Sequence, residues 1–217
     1  MKNRNRLISL EKRITSCKEC PRLVDWQKTV AVNKISRYND WDYWGKPVPS
    51  FGKENAELLV VGLAPAAHGA NRTGRIFTGD RSGEWLYRAL YEFGFCNLPE
   101  SKHIDDGLEL NNCRITAALH CAPPMNKPAV TELNNCRQFL IEELLLLKRI
   151  KVIIALGKIA FDMVILSAKE LKLTESKNSY KFSHGGEVRL KNETVITGKL
   201  TESMFNKIFK QVRTIIV

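Results

Sequence analysis

Residues 58–83 read LLVVGLAPAAHGANRTGRIFTGDRSG, and this stretch decides the fold. Residues 58–63 form an unbroken apolar run with the length of a strand that is buried on both faces of a parallel sheet. Small and polar residues follow as far as Ser82, which we expect to cap a helix over residues 83–93. Ligands of open α/β sheets bind outside the carboxyl ends of the strands. The stretch therefore predicts a ligand site where this buried strand ends.

Strand and helix patterns alternate along the rest of the chain. The further strands are expected over residues 114–119, 151–156, 187–190 and 193–197. The further helices are expected over residues 5–15, 131–149, 158–171 and 201–216. Residues 21–57 have no clear period and predict mostly loop. The alternation predicts an α/β protein, a three-layer α/β/α sandwich around a mostly parallel, four-stranded sheet.

The composition is that of a globular protein. The chain has 217 residues, of which 44% are hydrophobic and 26% charged, so it is neither disordered nor fibrous and we expect one domain over residues 1–217. No apolar run approaches the ~18 residues of a membrane span. The first residues, MKNRNRLISLEKR, lack the apolar core of a signal peptide. We therefore expect a cytoplasmic protein with no membrane partner.

The net charge of +11 is confined to the two ends of the chain. Residues 1–22 and 151–217 carry all of it, and residues 23–150 are neutral as a group. Basic surfaces of this kind suit a polyanion such as nucleic acid. The alternative is that lysine-rich surfaces only keep the protein soluble.

Four cysteines have the spacing of metal ligands. Cys17 and Cys20 form a CxxC pair, and Cys121 and Cys136 are separated by fourteen residues. Four such thiols fit either a zinc site or an iron–sulfur cluster, and the spacing does not choose between them. The alternative is that the two distant cysteines are small apolar core residues. The remaining two lack a partner at ligand spacing and are assigned to the core: Cys96 and Cys113.

The loop after the first strand resembles a motif of a known family. Residues 62–83 are similar to the first motif of the family 5, or type B, uracil-DNA glycosylases of prokaryotes. Similar segments follow the order of that family along nearly the whole chain: CKECPRL at 17–23, YWGKPVPSFG at 43–52, CAPPMNKP at 121–128, His184-Gly185 and TGKLTESMF at 197–205. On these motifs the chain is identified as a member of the family.

The resemblance implies a fold, an activity and a cofactor. The fold is the uracil-DNA glycosylase-like sandwich, and the activity is hydrolysis of the N-glycosidic bond of uracil, with other deaminated bases in DNA as further candidate substrates. The cofactor is a structural 4Fe–4S cluster that ties residues 1–57 to the sheet. Its ligands by position are Cys17, Cys20, Cys121 and Cys136.

The resemblance also implies partners and a location. The partner is DNA that contains uracil or another deaminated base, and we expect a monomer associated with the prokaryotic nucleoid. A sliding clamp is a further candidate partner on which the sequence carries no signal.

The same resemblance assigns the substrate-binding residues. Residues 62–68 would form the loop over the base and its sugar, with contacts from Gly62, Ala64, Pro65 and Ala66. Other branches of the superfamily carry a polar or acidic residue at the position of Ala64, whereas family 5 has alanine. Phe77 would stack on the extruded base, or else only anchor its loop. Asn71 would contact the substrate, or else bond its own loop.

Three candidate catalytic residues follow from the resemblance. Asp80 would steady the sugar cation or position water, and its alternative role is to stabilise a helix N-terminus. Asn126 would hydrogen-bond the base edge, and its alternative role is that of a turn residue. His68 is the candidate substitute for a histidine that the chain lacks.

That histidine belongs to a second family motif, HPSxxN, which precedes TGKLTE in relatives and carries a loop that wedges into the duplex. Here the chain reads KNETVITGKLTE, so Ile196 is followed directly by Thr197. We therefore expect reduced activity, or a second class of function in which the protein binds DNA lesions without cleaving them. A third reading is a zinc-bound scaffold with no role on DNA.

Overall fold

The computed structural model of the protein describes residues 2–174, 180–199 and 205–216. Its sheet is built from β1 (Phe51–Gly52), β2 (Leu58–Gly62), β3 (Cys113–Ala117), β4 (Val152–Leu156), β5 (Glu187–Arg189) and β6 (Val195–Lys199). The strand order is β1-β3-β2-β4-β6-β5. The inner four strands are parallel, and β1 and β5 pair antiparallel at the two edges.

The prediction of a four-stranded sheet is wrong, because the structure has six strands. The four parallel strands are flanked by β5 and by β1, which has only two residues and therefore no periodicity that a sequence pattern can show. At Gly52 of β1 a Cβ atom would stand 2.6 Å from the carbonyl oxygen of Cys113. Glycine is thus what lets this short edge strand approach β3.

Helices cover both faces of the sheet, which confirms the α/β/α sandwich. They are α1 (Lys2–Ser16), α2 (Pro21–Val32), α3 (Ala70–Thr73), α4 (Arg81–Glu92), α5 (Val130–Leu146), α6 (Lys158–Glu170) and α7 (Phe205–Ile216). One core lies between the sheet and α1, α5 and α6, and the other lies between the sheet and α4 and α7. Strand β2 serves both cores, since Leu59 and Val61 face the first, and Leu58 and Val60 face the second.

The expectation of mostly loop over residues 21–57 is wrong for its first part, which is α2. Pro21 stands at the start of this helix, where its missing N–H is not needed. Leu23, Gln27 and Val30 are buried at helical spacing, and the buried glutamine obscured the apolar pattern. The predicted helix start at residue 201 lies outside the described residues, and α7 is described from Phe205.

The two basic ends of the chain are divided between both outer layers. Helix α1 and helix α6, which belongs to the second basic end, cover one face of the sheet, and α7 packs on α4 on the other.

None of the helices in the described residues has the length and hydropathy that a membrane crossing requires.

A buried ionic network fixes α1 to the sheet. Arg114 of β3 is 1% exposed, and its Nε donates to Oε1 of Glu143 at 2.5 Å. Its Nη2 donates to Oε1 of Glu11 on α1 at 2.8 Å. Ser50 donates to the other oxygen of Glu143 at 3.1 Å. Removing one partner of the fully buried Arg114–Glu143 pair would typically cost about 3–5 kcal/mol, and the partly exposed Glu11 links α1 to this pair.

Candidate active site and cysteine cluster

A cavity opens where three neighbouring parallel strands end. Gly62, Ala117 and Leu156 are the last residues of β2, β3 and β4, and all three line it. The other lining residues come mainly from the loop after β2 and the start of α4: Leu63, Ala64, Ala66, Ile76, Phe77, Asp80, Ser82, Trp85 and Asn126. The ligand site predicted at the carboxyl end of β2 is thus a real concavity.

Phe77 forms one wall of the cavity and is fixed there by two glycines. A Cβ atom on Gly62 would lie 2.5 Å from Cζ of the Phe77 ring, and one on Gly83 would lie 1.8 Å from the Phe77 carbonyl oxygen. Phe77 has a φ of 60°, in the left-handed region that costs a non-glycine residue free energy. The local structure therefore accepts backbone strain in order to present this ring to the cavity.

Asp80 has two roles in the structure at once. It is the N-cap of α4, where its Oδ1 accepts from the N–H of Gly83 at 2.9 Å, so the predicted cap at Ser82 is wrong. It also lines the cavity. Burial raises the pKa of Asp80, and hydrogen bonds from the N–H groups of Gly83 and Ser82 oppose that rise. The carboxyl group thus stands in a desolvated position beside the cavity.

Asn126 reaches the cavity from a separate, strained turn. It ends the 3-10 turn Pro124–Asn126, and both Met125 and Asn126 are left-handed, with φ of 54° and 56°. The N–H of Asn126 donates to the carbonyl of Pro123 at 3.2 Å. Asn126 lines the cavity from this turn, so it is both a turn residue and a cavity residue.

Three of the predicted site residues are not among those that line the cavity: Pro65, His68 and Asn71. The Nδ1 atom of His68 is instead 3.1 Å from the hydroxyl oxygen of Tyr43. Asn71 is fully buried, and its Nδ2 donates to the carbonyl of Ala67 at 3.3 Å, which is a bond within its own loop. Asn71 thus bonds its own loop, and His68 contacts Tyr43.

Sequence reasoning missed several cavity residues, of which Trp85 is the largest. Its position on α4 fitted a buried helix face, yet it is only partly buried and lines the cavity. The guanidinium carbon of Arg81 lies 5.2 Å from the centre of a Trp85 ring. Leu156 and Ala117 were missed as well, although the rule on strand ends that located the site at β2 applies equally to β3 and β4.

The four cysteines at ligand spacing come together around a second, small cavity. Cys17, Cys20, Cys121 and Cys136 all line it. The N–H of His120 donates to Sγ of Cys136 at 3.4 Å, and Nδ2 of Asn135 lies 3.6 Å from Sγ of Cys20. Burial raises the pKa of the Cys136 thiol to about 12 and also raises the pKa of Cys20 and of Cys121. Metal binding would have to displace these protons.

Within residues 2–174, 180–199 and 205–216, no three His, Cys, Asp or Glu side chains are close enough to hold a single metal ion. Cys96 and Cys113 are buried in the core on the other side of the sheet, as expected.

Comparison with known proteins agrees with this geometry. The profile of the uracil DNA glycosylase superfamily matches residues 49–211. A type-5 uracil-DNA glycosylase of Mycobacterium leprae is 44% identical, over 94% of this chain and 93% of its own length. The chain belongs to the type-5 uracil-DNA glycosylase family.

Other relatives in the type-5 family come from distant prokaryotes. A type-5 uracil-DNA glycosylase of Thermus thermophilus is 40% identical, over 92% of this chain and 94% of its own length. One of Pyrobaculum aerophilum is 48% identical, over 70% of this chain and 66% of its own length. The family predicted from the motifs is therefore confirmed.

Proposed function

We propose that this protein hydrolyses the N-glycosidic bond of uracil in DNA, as the first step of base-excision repair. The observation that carries the proposal is the cavity at the ends of β2, β3 and β4, which brings Phe77, Asp80 and Asn126 together. The relatives in the type-5 family carry the name of this activity. Enzymes that act on a base must extrude it into a pocket of this kind.

The cavity suits a flipped pyrimidine in both shape and chemistry. The ring of Phe77 offers a flat face for stacking, which is worth about 1–3 kcal/mol per base. The amide of Asn126 offers both a donor and an acceptor to the base edge. Gly62, Ala64 and Ala66 leave the backbone after β2 open to close approach by the nucleotide.

Asp80 is the group that would act at the sugar. The N–H groups of Gly83 and Ser82 hold its carboxylate at the edge of the cavity, where it would meet a water molecule or the developing sugar cation. A negative charge in a desolvated position stabilises a cation more strongly than it would in water. Asp80 must be ionised for this role.

The departing base lacks one donor that the family motif would supply. Strand β6 runs without interruption through Ile196 and Thr197, paired in register with Ile153 and Ile154 of β4. There is no insertion at this point of the sheet. Loss of one donor of this kind typically lowers the rate ~10²–10³-fold. We propose a slower glycosylase for that reason.

We propose that the four cysteines hold a 4Fe–4S cluster. Four soft thiols line one cavity, and two of them receive N–H···S contacts. In such a cluster each of the four thiolates would bind iron. The cluster would supply a structural link between residues 1–57 and the sheet. We also propose that the chain is a single domain and that it works as a nucleoid-associated monomer in the cytoplasm.

The uninterrupted β6 also favours a second candidate, a lesion-binding protein that does not cleave. A single-turnover assay separates the two. The full chain, prepared anaerobically, is mixed in excess with an oligonucleotide that holds one uracil, and abasic sites are counted after alkali. We expect cleavage at uracil and none at thymine in the same position. If the protein binds the uracil duplex but cleaves uracil neither in duplex nor in single-stranded DNA, the second candidate is established instead.

A further inference from the structure

The geometry points to Met125 as the residue that enters the DNA stack and holds the uracil out. This inference rests on the proposed function and adds a positioning residue to it. Met125 is 80% exposed, the highest value among the large apolar side chains of the described residues. It is also the only one of those exposed residues that is next in sequence to a residue lining the cavity, Asn126. An exposed apolar side chain next to a cavity residue is therefore unaccounted for by packing.

The backbone presents Met125 rigidly. The side chain stands in a left-handed turn between prolines, with Pro123 and Pro124 before it and Pro128 after it. Prolines and a closed turn leave the backbone little entropy to lose when DNA binds. Strained non-glycine residues persist where the surrounding structure fixes them and where function uses them.

Both ends of the turn are anchored. Cys121 lies at its start, in the cysteine cavity. At its end Arg22 donates to the carbonyl of Lys127 at 3.4 Å and to both oxygens of Glu132 at 2.7 Å. A side chain that must push between stacked bases needs such support, because unstacking one step costs a few kcal/mol.

A wedge at position 125 would replace the wedge that the family motif carries and that this chain lacks. Strand β6 carries no insertion at Ile196–Thr197, where the family motif and its wedge would lie. Methionine is among the apolar residues that proteins insert between base steps. Exposed Lys127 stands two residues after Met125, and its charge suits the backbone phosphate of the same strand.

The test compares Met125→Ala with Met125→Leu and with Val130→Ala, a control in which another exposed apolar side chain, 74% exposed, is removed. Single-turnover cleavage is measured on uracil opposite A, opposite G and in a single strand. For Met125→Ala we expect about a tenfold loss on the U·A duplex, a smaller loss opposite G and an unchanged rate on the single strand, since only duplex DNA must be unstacked. Met125→Leu and Val130→Ala should keep the rate on all three substrates.

A second readout does not depend on cleavage. The fluorescence of 2-aminopurine beside the uracil reports extrusion, and we expect Met125→Ala to lose the rise that the unchanged chain and Val130→Ala produce. Equal losses on single and double strands, or no loss on the U·A duplex, would overturn the wedge. A fluorescence rise without cleavage in the unchanged chain would overturn the proposed activity and leave the wedge standing.

Discussion

The ring of Phe77 lies so close to the backbone of Gly62 that a Cβ atom at position 62 would stand 2.5 Å from it. Alanine at position 62 must therefore move the ring into the cavity or out of the loop. We expect Gly62→Ala to lower single-turnover cleavage of single-stranded uracil DNA by about tenfold or more, since the base loses its stacking face. A rate equal to that of the unchanged chain would show that Phe77 is not the stacking surface. The matched variant Ala117→Gly, at the position of β3 that pairs with Gly62, should retain the stacking face.

Substitutions at Asp80 can separate its role as the N-cap of α4 from its proposed role in catalysis. Asparagine caps helices about as well as aspartate, whereas alanine at an N-cap costs about 1 kcal/mol. We expect Asp80→Asn to keep the thermal unfolding midpoint and lose most activity, and Asp80→Ala to lose both. Unfolding is followed by circular dichroism and activity by single-turnover cleavage. If Asp80→Asn cleaves at the normal rate, the Asp80 carboxylate acts only as the N-cap of α4.

The pH dependence of cleavage follows from the same residue. Burial raises the pKa of Asp80, and the proposed role needs its charged form. The rate should therefore fall as the pH is lowered, and the fall should be centred above the pKa of an ordinary aspartate. The log of the single-turnover rate is plotted against pH for the unchanged chain and for Asp80→Asn. The variant should lack this limb, and an identical acid limb in both proteins would assign it to another group.

Arg81 is the cation nearest the cavity mouth on α4, beside the ring of Trp85 at 5.2 Å. If it holds a phosphate, Arg81→Ala should reduce the slope of log K against log salt by about 0.9 on duplex DNA. Fluorescence anisotropy at several salt concentrations gives the slope. Arg88, also exposed and on the same helix, provides the control through Arg88→Ala. Equal changes of the slope in the two variants would mean that Arg81 makes no specific phosphate contact and that the positive charge of α4 acts only at long range.

Iron content tests the cysteine cavity. We expect the anaerobically purified chain to be brown and to carry about four irons. Cys136→Ser should lose most of the iron, and Cys96→Ser should keep it, because Cys96 lies in the other core. Iron, sulfide and zinc are measured on the same samples. Stoichiometric zinc with no iron would show that the four cysteines form a zinc site and not a cluster.

Sequence patterns located the cavity because β2 and the loop after it carry local signals. The apolar run of β2 and the glycines that follow are readable without any contact information. Trp85 was not found in this way, because a tryptophan on an amphipathic helix has the same pattern whether it meets the core or a cavity. Its exposure depends on where the ends of β3 and β4 lie, which is a long-range property.

The sequence patterns did not predict the edge strand β1 or helix α2, and the reasons differ. Phe51 and Gly52 form a strand only because β3 is there to pair with them. In α2, Gln27 is 1% exposed and accepts from the N–H of Ala122 at 3.0 Å, so a polar residue occupies a core position. A binary apolar pattern has no means of anticipating a buried amide whose oxygen accepts from a distant backbone N–H.

The turn that carries Met125 and Asn126 lies between two cysteines of one cavity, Cys121 and Cys136. The other two thiols come from the beginning of the chain, so the turn is fixed only after the first and middle thirds of the protein have met. The proposed cluster would therefore tie the mouth of the cavity to the start of the chain.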